Sequence, residues 1–168
     1  MTQQRGAGAH GGQRPALSLK ARALQWLAQR EHSRIELRRK LLRRARLDAQ
    51  EGDDDPAPAV DQLLDWLEAK QHLSPSRFVE SRLQVRAARY GNLRIRQELA
   101  QHGLSADAQQ AQALAASEFE RARNLWQRRY GSPGADVAER ARQMRFLAGR
   151  GFSPEVVRRV VSGRDDTD

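Results

Sequence analysis

Two stretches forty residues apart, Leu24-Gln25-Trp26-Leu27 and Leu64-Asp65-Trp66-Leu67, repeat one short pattern, and Met144-Arg145-Phe146-Leu147 restates it loosely. The same forty-residue shift superposes Arg89-Tyr90-Gly91 on Arg129-Tyr130-Gly131. A shift of 120 aligns residues 21–41 with 141–161: Ala21, Arg22, Leu27, Ala28, Arg30, Ser33, Arg38 and Arg39 recur unchanged as Ala141, Arg142, Leu147, Ala148, Arg150, Ser153, Arg158 and Arg159. Leu24/Met144, Trp26/Phe146, Leu37/Val157 and Leu41/Val161 keep their apolar character. A chain that repeats itself in this way builds small units, each too small to bury its apolar face alone, that stack on their neighbours. The alternative is plain: any antiparallel helix pair needs apolar stripes and a capped turn. On the array reading, Trp26 and Trp66 mark one buried packing position reused along the chain, with Phe146 filling it the third time.

The local signals are helical throughout. Residues 18–30 carry Leu19, Ala23 and Leu27 on one stripe. Ser33-Arg34-Ile35-Glu36 reads as a capping box, with Ser33 as cap and Glu36 reaching back to its amide, before a helix to about Arg46. Residues 48–59 hold acids, two prolines and a glycine without apolar period, and read as a linker. Helices are predicted at about 60–71, from Ser74-Pro75 to Tyr90-Gly91, at 92–102, 106–115, 118–130, 136–149, and from Ser153-Pro154 to about 162. No segment alternates long enough for a strand. The fold class is all-α: tandem three-helix modules in an elongated, curved array. The expected divisions are a disordered tail at 1–16, repeats at 17–73, 74–116 and 117–163, and a flexible end at 164–168.

Composition narrows the function. Net charge is +9, and all of the 30 basic residues except Lys20, Lys40 and Lys70 are Arg. Arginine favours bidentate contacts to phosphate and carboxylate, though a GC-rich genome also raises Arg over Lys. The charge points to nucleic acid, an acidic protein surface or anionic lipid. Cysteine is absent, which removes disulfides and thiolate chemistry. Residues 1–16 lack the apolar core of a secretory signal, and no apolar run approaches a membrane span, so a cytosolic protein is expected. His10, His32, His72 and His102 fall in no metal-binding spacing, and no phosphate-binding loop or paired nucleophile and base is present. Neither catalysis nor a cofactor is expected, and Asp53-Asp54-Asp55 reads as a solvated spacer.

Basic clusters recur once per module: Arg34, Arg38, Arg39 and neighbours; Arg77 to Arg96; Arg121 to Arg150. That is the electrostatic footprint of a polymer-binding surface without sequence-specific readout.

Residues 23–44 and 78–104 resemble the RecX family of bacterial regulators of the RecA recombinase. The distinctive segments are Arg89-Tyr90-Gly91-Asn92-Leu93-Arg94-Ile95-Arg96-Gln97-Glu98-Leu99 and Glu31-His32-Ser33 to Glu36-Leu37. The resemblance covers about residues 17–163. It implies three tandem three-helix repeats and a protein, expected as a monomer, that binds the RecA–DNA filament. Such a protein restrains filament extension, ATP hydrolysis, strand exchange and co-protease activity, and touches DNA weakly without sequence preference. The linker at 48–59 is longer than the family pattern requires, which leaves the packing of the following helix open. Arg89, Arg94 and Arg96 are the first candidates for partner or phosphate contacts, with Arg34, Arg38, Arg39, Arg158 and Arg159 next. Tyr90 and Gly91 read as structural, the ring packing a helix end and the glycine permitting a sharp turn. A stand-alone DNA-binding protein with a helix-turn-helix at Glu31–Arg46, and a scaffold for an acidic protein, are the competing readings.

Overall fold

The computed structural model describes residues 17–50 and 52–163. Among them it forms eight helices and no strand: α1 (Leu19–Gln29), α2 (Arg34–Asp48), α3 (Ala57–Ala69), α4 (Pro75–Ala87), α5 (Asn92–Gln101), α6 (Ala108–Tyr130), α7 (Val137–Gly149) and α8 (Pro154–Ser162). Starts are set by short polar caps. Ser18, Ser33, Ser74, Asp107 and Asp136 each accept a backbone N–H from the first turn of the helix they precede. The expected tail at 1–16 and flexible end at 164–168 lie outside the described residues.

Two boundaries differ from the sequence reading. The stretch 106–130 forms one helix of 23 residues from Ala108 rather than two. Nothing between Ala115 and Phe119 can stop it: Ser117 turns its hydroxyl back to the Ala113 carbonyl (2.8 Å) instead of capping a new helix. The linker is also shorter than 48–59. An Arg44–Asp48 pair one turn apart holds the end of α2, and α3 begins at Ala57.

Three apolar clusters follow one another along the chain. Leu37, Leu41, Val60, Leu64 and Leu67 anchor the first, so α3 packs tightly on α2 despite the acidic linker. Phe78, Val79, Ile95, Leu99 and Leu114 form the second. Ala122, Trp126, Leu147, Phe152 and Val157 form the third. The main helix packings join elements close in chain order, as a repeat array requires. α6 serves two clusters, with Leu114 in one and Ala122 and Trp126 in the other.

The matched aromatics play a different part from the one their spacing implied. Trp26 and Trp66 lie on α1 and α3 of the same cluster, and both are half-buried. Each is roofed by a cation: Lys40 stands 4.2 Å from the Trp26 ring and Lys20 3.7 Å from that of Trp66. Phe146 is likewise half-buried under Arg129 and Arg150. The recurring unit is a cation-roofed ring at the edge of a core. The tryptophan that is fully packed is Trp126, whose indole N–H donates to Gln143 at 2.9 Å.

Candidate partner and nucleic-acid interface

Helix geometry sorts the arginines of α2 into two faces. Arg34 and Arg38, one turn apart, point at α3. Arg34 pairs with Asp65 (2.7 Å) and Glu68 (3.0 Å), and Arg38 holds Asp61 through two bonds of 2.7 and 3.0 Å. The Asp61 bond raises the Arg38 pKa, and the same contact lowers that of Asp61. These two candidates are therefore committed to fastening α3. Arg39, Arg43 and Arg46 occupy the next stripe, are exposed, and form no ion pair among the described residues.

Half of the expected capping box forms: Ser33 caps α2, whereas Glu36 departs from expectation. Ser33 Oγ accepts the Glu36 N–H (3.1 Å) as predicted, but the Glu36 carboxylate turns to Arg30 instead of closing the box. Burial alone would raise the Glu36 pKa; its bonds to Arg30 outweigh this and lower it. The Ser33 hydroxyl meets His102 Nδ1 at 2.7 Å and so ties α2 to the end of α5. Phe78 packs edge-on against His102, and Arg77 reaches Glu31 at 2.7 Å across the same junction. His32 is fully buried, with Nδ1 at 3.0 Å from the Arg30 carbonyl and Nε2 at 3.1 Å from Lys40. Because Lys40 only donates, Nε2 must accept and Nδ1 carries the proton. Burial lowers the pKa of both His32 and His102, in keeping with neutral rings.

The Arg89-Tyr90-Gly91 segment lies at the second junction. Arg89 is exposed in the turn after α4, and the Tyr90 ring is half-buried at the edge of the second core. Arg94 lies 4.8 Å, Arg86 5.3 Å and Arg150 5.8 Å from that ring. Arg150 continues to Phe146 (5.1 Å), Arg129 stands 4.7 Å from Phe146, and Tyr130 meets Phe146 edge-on at 5.6 Å. The two Arg-Tyr-Gly segments are thus joined by one ladder of alternating cations and rings. Glu98 is the acid beside it, 2.9 Å from Arg86 and 3.9 Å from Arg94. Such a ladder presents stiff guanidinium planes, suited to phosphate or carboxylate.

Gly91 is needed for a different reason from the one its motif implied. Its φ is −79°, which any residue adopts. The constraint is space: a β-carbon there would stand 2.2 Å from the Phe152 nitrogen and 2.3 Å from the Gly151 carbonyl. The Gly91 and Leu93 N–H groups donate to the Arg150 and Gly151 carbonyls at 2.9 and 3.0 Å, so the start of α5 takes up the end of α7. Gly151 has φ +81° and in turn lies against Arg94.

Two residues lock this junction: Glu118, which sequence reasoning missed, and Arg121, which it counted only within the third basic cluster. Glu118 is buried and accepts the backbone N–H groups of Asn92 (2.8 Å) and Ser153 (3.3 Å). Arg121 donates to the carbonyls of Tyr90 (2.7 Å), Ala87 (3.0 Å) and Leu114 (3.1 Å) and to the Asn92 side chain. Burial lowers the Arg121 pKa from an initial value so high that the group stays charged. One signal was available: Glu118 stands one turn from both Leu114 and Ala122, a carboxylate inside an apolar stripe.

The remaining candidates separate. Arg96 lines a groove of about 360 Å³ between α5 and α6, apart from the ladder. Arg158 is exposed between α7 and α8, whereas Arg159 is half-buried with its guanidinium 4.5 Å from the Phe119 ring. Among the described residues no group of acidic or histidine side chains could hold a metal ion, and no helix is long and apolar enough to cross a membrane.

Fold and surface together define a helical-repeat protein with small separate cores and arginine-rich faces at their junctions. Two family models match, the second three-helix domain of RecX over residues 76–114 and the third over residues 116–161. Curated relatives named Regulatory protein RecX include that of Ralstonia nicotianae, 51% identical over 154 residues and covering 90% of this chain and 91% of the relative. That of Leptothrix cholodnii is 51% identical over 150 residues, with 88% and 90% covered, and that of Pseudomonas savastanoi pv. phaseolicola is 40% identical over 156, with 90% and 95%. The chain belongs to the RecX family of regulatory proteins.

Proposed function

We propose that this chain regulates the RecA recombinase by binding RecA–DNA filaments, acting without catalysis, as a monomer and in the cytoplasm. Binding restrains filament extension and with it ATP hydrolysis, strand exchange and co-protease activity. The observation that carries this reading is the distribution of charge. Arginines not spent on internal ion pairs recur along the array, at Arg39, Arg43 and Arg46 on α2, at Arg89 beside the ladder, and at Arg158 on α8. Exposed cations spaced along the array suit a partner whose acidic groups also repeat, as those of a filament do. The cation–ring ladder at Tyr90 and Phe146 adds planar donors for phosphate or carboxylate, while contacts to DNA remain phosphate-directed and salt-sensitive.

The test is RecA ATP hydrolysis on single-stranded DNA. Substoichiometric protein lowers the rate, and Arg39→Glu/Arg43→Glu weakens the effect. An unchanged rate at equimolar protein overturns the proposal. Footprinting on duplex DNA separates the stand-alone DNA-binding alternative, which requires a protected site of defined sequence.

A further inference from the structure

Among the described residues, the internal repeat leaves the groove between α7 and α8 unfilled. The 120-residue correspondence lays the α1–α2 hairpin on α7–α8. In the first hairpin, the flank bearing Lys20 and Arg38 is covered by α3: Lys20 roofs Trp66 at 3.7 Å, and Arg38 grips Asp61 at 2.7 Å. Between these polar contacts, Val60 and Leu64 of α3 share the apolar cluster of Leu37 and Leu41. The counterparts of Lys20, Leu24, Arg38 and Leu41 are Arg140, Met144, Arg158 and Val161. These four line an open groove of about 750 Å³ between α7 and α8. Helix α6 does not cover it: no α6 residue lines the groove, and Trp126 of α6 packs on the other flank, at Gln143. Val137 at the rim is 76% exposed. Among the described residues of the lining, Glu155 is the single acid, against Arg140 and Arg158.

We propose that the α7–α8 groove docks an acidic amphipathic helix of a partner protein, with α3 as the internal template of that ligand. The template places apolar residues at Val60, Leu64 and Leu67, each followed by a carboxylate at Asp61, Asp65 and Glu68. In the docked partner helix, the apolar anchors rest on Val137, Ala141 and Met144, and the carboxylates meet Arg140 and Arg158. Charge complementarity fixes the sign of the partner, and the apolar floor demands a helix face rather than a bare polyanion. The proposal rests on the reading above only in taking the partner to be a protein.

The probe is a fluorescein-labelled peptide with the sequence of residues 56–71, titrated with the full chain and followed by anisotropy. Saturable binding is expected, weakened at least about tenfold by Arg158→Glu or Met144→Glu. A peptide with Lys at Asp61, Asp65 and Glu68 should not bind, a control that leaves the protein unaltered. Absent binding, or binding indifferent to Arg158→Glu, overturns the proposal. So does binding that Arg38→Glu abolishes and Arg158→Glu spares, since the peptide then only exchanges with α3. Sedimentation that finds dimers dissolved by Arg158→Glu assigns the groove to a second copy and overturns it also. The assay contains no RecA and no DNA, so its outcome is separate from that of the ATPase test.

Discussion

Replacing Gly91 with alanine adds one methyl group at the point where two backbones touch. The new carbon would lie 2.2–2.3 Å from backbone atoms of Gly151 and Phe152, distances that no rotamer change relieves. The start of α5 must therefore move away from the turn between α7 and α8. Overpacking of this kind costs about 1–3 kcal/mol. The movement also lengthens the bonds from the Gly91 and Leu93 N–H groups, now 2.9 and 3.0 Å, each worth about 0.5–1.5 kcal/mol. The sum is roughly 2–6 kcal/mol, which for a chain of this size, at about 2–4 °C per kcal/mol, lowers Tm by roughly 4–24 °C. Thermal unfolding followed by circular dichroism at 222 nm measures it. Gly149→Ala is the matched control: it lies in α7, and a β-carbon added there meets no atom within 4 Å, so alanine should be neutral or mildly stabilising. A Gly91→Ala protein melting within about 1 °C of the parent would refute the steric account and return Gly91 to a purely conformational role.

Arg121→Ala removes the donor to three carbonyls and leaves Glu118 buried beside the vacated space; a loss of roughly 3–5 kcal/mol in urea unfolding is expected, and under 1 kcal/mol would show the junction to be dispensable. His32 and His102 have lowered pKa values in the fold, so the unfolded chain binds protons first as pH drops. Their contribution is intact above about pH 6.5 and is lost as pH falls through the folded values, so the urea midpoint should decline from pH 7.5 to 5.5. Glu36 and Asp61, also lowered, act only in the window below the ordinary carboxylate pKa. A midpoint that stays flat down to pH 5.5 would contradict the buried neutral imidazoles. Trp26→Ala should lower Tm while leaving intrinsic filament binding in place, because the ring touches the first core and Lys40. A fully stable variant that no longer binds would assign Trp26 to the interface.

Much of this architecture was legible because its causes are local. Ser33 and Ser74 announce helix starts, since a hydroxyl satisfies amides that would otherwise go unpaired. The 120-residue repeat made modular stacking readable before any contact was known. Other features depend on residues far apart in the chain and left no local trace. Arg34, Arg38, Arg39 and Arg43 look alike in sequence, yet α3 neutralises the first two and leaves the others outward. The Arg-Tyr-Gly glycine could be recognised, but its reason, contact with Gly151 and Phe152, arises only when α7 and α8 fold back onto α5. Sequence by itself determined most of the helices, the modular plan and the sign of the surface charge, because capping, periodicity and composition act within a few residues. Tertiary structure alone decided which arginines are spent inside, which rings they roof and which groove stays open, because those follow from which helix packs on which flank.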